Sequence, residues 1–360
     1  RVPVAVSNWV VSNYWIARPR RHWYVVCRSH ELRSKPLARR IFDTPLVVFR
    51  DQRGKAATLL DRCAHRNAPL SLGRVEDGQL ACRYHGWRYD GQGGCRAIPT
   101  LGNNGAGAGR SVPCFATCEQ DGFVWAYATA GEEPGRAPFR LPHTNDSSYG
   151  SFVIDYRCEG TLHATLENML DVPHTAYLHR GLFRSGRLKP IEVVVRSNST
   201  AVEAEYIGEP MPAGLAARVL GLGGRAGDTL KHFDRFILPS VSQVEYRMGT
   251  QGHLVATSLL TPVSDFLTVF STVISYRLPL PQMLTRLLFR PVVKRIFAQD
   301  AGMVGRQADN VREFGGERYS STNADVLGPA IWKLLAGAEG SAGPPDSGDL
   351  AKLTRTELLV

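Results

Sequence analysis

Two short segments constrain this 360-residue chain more than any other feature: Cys63-Ala64-His65 and, further on, Cys82-Arg83-Tyr84-His85. Each opens a tight loop, the first continuing Arg66-Asn67-Ala68-Pro69 and the second Gly86-Trp87. Thiolate and imidazole groups at such spacing are metal ligands. A structural zinc held by two cysteines and two histidines usually draws the cysteines from one knuckle and the histidines from another. Here each loop supplies one of each, which suits a dinuclear centre better than a single ion; zinc is the competing reading.

The Cys-x-His and Cys-x2-His pair resembles the pattern of a Rieske [2Fe–2S] centre, where two cysteines hold one iron and two histidines the other. The segment from Arg62 to Pro99, including the turn Tyr84-His85-Gly86-Trp87, is similar to the Rieske domain of the Rieske-type non-haem iron oxygenases. The resemblance makes Cys63, His65, Cys82 and His85 the cluster ligands. A Rieske cluster alone also suits a pure electron carrier, so the rest of the chain has to decide.

A second motif lies in Glu167-Asn168-Met169-Leu170-Asp171-Val172-Pro173-His174-Thr175-Ala176-Tyr177-Leu178-His179. In the same family, N-x2-D-x2-H-x4-H supplies two histidines to a mononuclear iron, and Asn168, Asp171, His174 and His179 fill every position. An iron that activates dioxygen needs two imidazoles and a carboxylate on one face, with the opposite positions open. Residues five apart do not align on an undistorted helix. Pro173 removes a backbone donor and kinks the helix there, so that His179 can swing towards His174. The bland reading is two ordinary histidines on an amphipathic helix.

The best third ligand is Asp300, on an expected helix whose apolar stripe runs Val293, Phe297, Asp300, Val304, Gln307. A carboxylate on that face is costly unless paired or bound to metal. Family members place their ligand aspartate in a late helix of this kind, often after Gln or Glu. A salt bridge to Lys294 or Arg306 is the alternative, and Asp265, in a strand-like stretch, competes poorly. Asp171 stands one turn before His174, near enough to accept a hydrogen bond from its ring. The resemblance implies more for Asp171, a bridge to a Rieske histidine of the neighbouring subunit, and hence a homotrimer. Asn168 would line that path, while Glu167 would cap or polarise.

Composition is that of a packed globular protein, with 43% hydrophobic and 21% charged residues and room for two domains. Five of the seven cysteines lie outside the cluster loops in no repeating framework, which favours a reducing cytoplasm over a disulfide scaffold. No run approaches the ~20 apolar residues that span a bilayer. The net charge of +10 is scattered rather than striped, so an acidic electron donor is a better partner than nucleic acid, with an anionic membrane surface second. Arg66, Arg83 and Arg88 flank the cluster loops as a landing place for that donor.

The expected fold class is α+β: an all-β Rieske domain ahead of a helix-grip (START-like) catalytic domain built on an antiparallel sheet. The expected divisions are an aromatic, basic N-terminal segment (1–40), the Rieske domain (41–135), the catalytic domain (143–335) and a flexible tail (336–360). The catalytic part should read strand 152–157, a helix over 161–180, strands at 191–196, 201–207, 231–238, 242–248, 253–261 and 267–277, then a helix over about 283–312. The stretch 211–228 reads as a lid or a plain loop, and 102–109 as a loop without chemistry.

The function implied is that of a terminal oxygenase, cytoplasmic or at a membrane surface. It would use O2 with electrons from a ferredoxin or reductase, and NAD(P)H only through that reductase. The substrate expected is large and hydrophobic. Tyr319–Asp325 and Ile331–Leu335 are similar to branches acting on polycyclic molecules, a bacterial sterol C-4 methyl oxidase being the specific reading. Aromatic-ring monooxygenation or O-demethylation is the alternative, and a non-catalytic lipid-binding helix-grip protein is the alternative class.

Overall fold

The computed structural model describes residues 16–104, 109–179, 190–209, 230–249, 252–338, 350 and 352–359. Trp9, Tyr14 and Trp15 of the N-terminal segment, the candidate lid at 211–228 and most of the tail up to residue 349 lie outside them, as do residues 105–108 of the glycine-rich loop.

The N-terminal unit is all β. It contains β1 (Trp23–Arg28), β2 (Leu37–Ile41), β3 (Thr44–Arg50), β4 (Ala56–Leu60), β5 (Arg74–Glu76), β6 (Gln79–Ala81), β7 (Arg88–Tyr89), β8 (Cys95–Ala97), β9 (Cys114–Gln120) and β10 (Phe123–Ala130). Six strands form one antiparallel sheet, in the order β1-β10-β9-β4-β3-β2, and β5 to β8 form a second small sheet in chain order. Both cluster loops hang from these strands, one after β4 and the other between β6 and β7. No helix or strand follows until Gly150, and Phe139 and Leu141 in that connection pack onto Val25, Phe123 and Trp125.

The second unit is one eight-stranded antiparallel sheet gripping helices. Its strands are β11 (Gly150–Cys158), β12 (Pro190–Ser197), β13 (Ala201–Ile207), β14 (Leu230–Ile237), β15 (Val241–Met248), β16 (Gly252–Ser264), β17 (Leu267–Arg277) and β18 (Lys352–Leu359), ordered β11-β17-β16-β15-β14-β13-β12-β18. Strict alternation decides which face is covered. In β14, Leu230, His232, Asp234 and Phe236 are buried, while Lys231, Phe233 and Arg235 turn outward. On the inner face Phe152, Ile154, Ile274 and Tyr276 meet Phe289, Val293 and Phe297 of the long helix. The outer face docks the N-terminal unit through Val241, Leu259 and Val273, with Phe42 N–H donating to Pro262 O at 2.8 Å.

The helices are α1 (Leu162–Leu170), α2 (Thr175–Leu178), α3 (Gln282–Phe314) and α4 (Gly328–Ala338). Thr161 caps α1, its hydroxyl accepting from Ala164 N–H at 3.1 Å. The helix expected over 161–180 is broken rather than kinked. Pro173 forces the preceding backbone out of the α region, α1 ends at Asp171 in an extended conformation, and one short turn resumes at Thr175. The tail expected at 336–360 is also corrected: α4 reaches Ala338, and Lys352–Leu359 pairs antiparallel with β12, from Ser197 opposite Lys352 to Pro190 opposite Leu359. On α3 the buried stripe passes through Val304 and Ala308, leaving Gln307 exposed. Asp265 occupies the turn between β16 and β17, its carboxylate bound by Arg18.

Candidate metal centres

The two cluster loops are built alike. Cys63 N–H donates to Ala68 O and Asn67 N–H returns to Cys63 O; Cys82 N–H donates to Trp87 O and Gly86 N–H returns to Cys82 O. Each is a closed turn that points its cysteine inward and its histidine up. Gly86 takes φ +73°, and a Cβ there would lie 3.0 Å from Pro99 Cγ, so the second loop needs glycine.

Like donors stand beside like donors. Cys63 and Cys82 are both buried, whereas the His65 and His85 rings meet edge to face at 4.5 Å nearer the surface. Trp87 stacks flat on His65 at 4.7 Å. Burial pushes the Cys82 thiol up, and Cys63 adds to that, while backbone N–H groups of Tyr84 and His85 pull it down. Tyr89 OH lies 3.2 Å from Cys63 Sγ. Nδ1 of His65 is sealed from solvent with no hydrogen-bond partner among the described residues. Burial, then the neighbouring His85 and Arg66, lowers its pKa and favours the neutral ring that binds metal. Two sulfurs on one side and two imidazoles on the other could hold a two-iron group.

The second centre joins α1, α2 and α3. Ligand atoms of His174, His179 and Asp300 all lie within 4.8 Å of one another. Asp300 Oδ1 is 2.9 Å from His179 Nε2 and 3.5 Å from His174 Nε2, and the two Nε2 atoms are 3.3 Å apart. Oδ1 is sealed from solvent yet accepts no well-aligned hydrogen bond. Three donors aimed at one point, with the buried Asp300 oxygen left without a hydrogen-bond partner, fit a metal ion at their centre.

The rings are held from behind. Asp171 Oδ2 accepts from the His174 backbone N–H at 3.0 Å and faces its Nδ1 at 3.1 Å. Burial opposes charge on His174, but Asp171 and Asp300 outweigh it and hold the pKa up at about 9. On the other side Gln299 Oε1 accepts from His179 Nδ1 at 2.9 Å. Asn168 is half-buried on α1, outside the trio. Burial, then the charge of Asp171 and Asp325, raises Glu167 to about 7. Behind Asp171 a cavity of about 10 Å³, enough for one water, is lined by Glu167, Tyr206 and Asp325.

Three features escaped the sequence reading. In the sequence Gln299 stands only as the residue before Asp300, although the residue before a ligand on a helix is well placed to reach the other ligand's ring. Arg88 is not a free docking cation: it pairs with Glu76 at 2.8 Å. On the inner face of β14, buried His232 bridges Glu209 Oε2 at 2.7 Å and Asp234 Oδ1 at 3.0 Å, between the rings of Tyr206 and Tyr246. Burial opposes its charge, but Asp234 and then Glu209 hold its pKa at about 9. The polar residues in the inward register of β14 were the available signal.

Comparison with known proteins agrees with this arrangement. Residues 22–116 match the Rieske [2Fe-2S] domain, and residues 159–339 match the vanillate O-demethylase oxygenase C-terminal domain. The dicamba O-demethylase oxygenase component of Stenotrophomonas maltophilia is 36% identical over 168 residues, 45% of this chain and 48% of that protein. Chlorophyllide a oxygenase of Chlamydomonas reinhardtii is 34% identical over 184 residues, 50% of this chain and 27% of that protein. The chain thus spans from about a quarter to about half the length of these relatives. The crystal structure of dicamba monooxygenase bound to 3,6-dichlorosalicylic acid superposes with a TM-score of 0.77 at 25% identity, covering 90% of this chain and 98% of that one.

The chain belongs to the Rieske non-haem iron oxygenases whose C-terminal domain is of the vanillate O-demethylase type. An all-β Rieske [2Fe-2S] domain is followed by a sheet-rich catalytic domain, in which His174, His179 and Asp300 could hold a metal ion.

Proposed function

We propose that this chain is the terminal component of an oxygenase, reduced by a ferredoxin or reductase and consuming O2. The observation that carries the reading is the convergence of His174, His179 and Asp300 in a chain that also holds the paired cysteine–histidine loops. In this reading Cys63 and Cys82 bind one iron of the cluster, His65 and His85 the other, and the trio binds the mononuclear iron. Bound there, the two groups store single electrons and activate dioxygen. The protein's own contribution is orientation: Asp171 fixes the His174 ring and Gln299 fixes His179. Asp171 would also face a cluster histidine of a neighbouring subunit in a homotrimer, with Asn168 beside that path.

The reaction proposed is oxidative demethylation or hydroxylation of a ring-bearing hydrophobic substrate. The relatives' names supply O-demethylation of vanillate and dicamba. A steroid-like preference draws no support from the segment that suggested it. Tyr319 and Trp332 pack around His163 of α1, at ring distances of 5.0 and 4.7 Å.

The test is metal content followed by turnover. His174→Ala, His179→Ala or Asp300→Ala should each lose the mononuclear iron and keep the visible spectrum of the cluster. Cys63→Ser or His85→Ala should abolish that spectrum. One zinc and no acid-labile sulfide would overturn the reading. A chain that binds a hydrophobic ligand yet takes up no iron at the trio would favour the lipid-binding alternative.

A further inference from the structure

The first half of α3 has two faces of different character. Thr285 is buried, and Phe289, Val293 and Phe297 turn onto the sheet. On the outer side Met283 is 84% and Leu287 69% exposed, with Leu284 at 41% and Val292 at 42%. Interleaved with them are the exposed cations Arg286, Arg290, Lys294 and Arg295. From Gln282 to Gln299 the helix contains no acidic residue, and none of these four cations pairs with a carboxylate among the described residues.

A helix on a soluble surface normally turns its large apolar residues inward and mixes charges of both signs outside. Exposed methionine and leucine gain nothing from water. Cations and apolar side chains on one face without acids match the boundary between lipid headgroups and acyl chains.

We propose that the outer face of α3 from Met283 to Arg295 docks on an anionic lipid bilayer. Met283 and Leu287 enter the headgroup–acyl boundary while Arg286, Arg290, Lys294 and Arg295 engage lipid phosphates. Charge complementarity selects this occupant. A second copy packed on the same face about a two-fold axis would bring eight uncompensated cations together. A nucleic acid would satisfy the arginines and leave Met283 and Leu287 in water.

The test is flotation of the full, metal-loaded chain with vesicles of phosphatidylcholine alone or mixed with phosphatidylglycerol. The wild type should float with the anionic vesicles only, and less as salt rises. Each of Arg286→Gln and Arg290→Gln should weaken partitioning about fivefold. Leu287→Asp should abolish it, with circular dichroism and cluster absorbance unchanged. Equal binding to neutral vesicles, no binding, or insensitivity to Leu287→Asp would overturn the proposal. So would a dimer, seen by light scattering, that Leu287→Asp dissolves.

Discussion

The side-chain oxygen of Gln299 accepts a hydrogen bond from Nδ1 of His179 at 2.9 Å, one residue before Asp300 in the helix that carries it. With Nδ1 protonated, Nε2 presents its lone pair to the point where Asp300 and His174 converge. A histidine ligand held in this way keeps both tautomer and ring angle. Gln299→Leu should therefore lower iron affinity by about 10–100-fold without changing the cluster spectrum. Gln299→Glu keeps an acceptor and should retain most of the iron. Competitive chelation followed by iron analysis of the three proteins checks this.

Tyr89 makes a comparable contribution to the other centre. Its hydroxyl lies 3.2 Å from Cys63 Sγ and also accepts from Ala64 N–H at 3.2 Å. With the amide donating to the hydroxyl oxygen, the O–H is free to point at the sulfur. A hydrogen bond to a cluster sulfur stabilises the more negative, reduced form. Tyr89→Phe should lower the reduction potential by roughly 40 mV, the one-electron equivalent of about 1 kcal/mol. Redox titration of the cluster's absorbance reads the shift, and an unchanged potential would show that the hydroxyl serves only the loop.

Much of this fold is legible in the sequence for simple reasons. Strands such as Leu267–Arg277 are rich in β-branched and aromatic residues, and α3 is a long run without a strong turn signal, so both elements are readable from local pattern. What stayed hidden depends on distant partners. Lys352–Leu359 is a strand only because β12 offers it an edge, and its own composition is that of a polar tail. The break at Asp171 exceeds the bend that a proline alone implies, because the second part of the helix is only a single turn. Arg88 looked like a free cation because Glu76 approaches it across a sheet rather than along the chain.

Stability should pass through a maximum near pH 6.5. Burial alone holds His22 at about 4, and burial does the same to His163 despite the Gly328 carbonyl. Below about 6.5 the unfolded chain takes up these protons first, so stability falls as pH drops towards 4, by up to about 1.4 kcal/mol per pH unit for each histidine. His232 works in the opposite direction. Its folded pKa of about 9 lies above the unfolded value, so its stabilisation is complete below about 6.5 and is lost as pH rises through 9. Urea unfolding midpoints across this range should trace the dome. His163→Gln should flatten the acid limb relative to the wild type while leaving the alkaline limb in place.

Reduction of the cluster by a protein donor should depend on two exposed arginines rather than three. His85 is exposed at the tip of its loop, and Tyr84 beside it is 67% exposed, so this is where an electron can enter over a short distance. Arg66 and Arg83 stand exposed on the two cluster loops. Arg88 is tied to Glu76 and half-buried, so it helps hold the small sheet instead. Cations beside an exposed redox centre attract an acidic ferredoxin, and that attraction is screened over about 8 Å at physiological salt. Arg66→Glu combined with Arg83→Glu should slow reduction by an acidic ferredoxin about tenfold or more at low salt and flatten its salt dependence. Reduction by dithionite, which needs no docking, should be unchanged. Arg88→Glu should instead set two carboxylates against each other at Glu76 and lower the melting temperature, with a smaller effect on the salt dependence. Stopped-flow reduction at several ionic strengths distinguishes the two classes, and a wild-type rate independent of salt would rule out docking at this face.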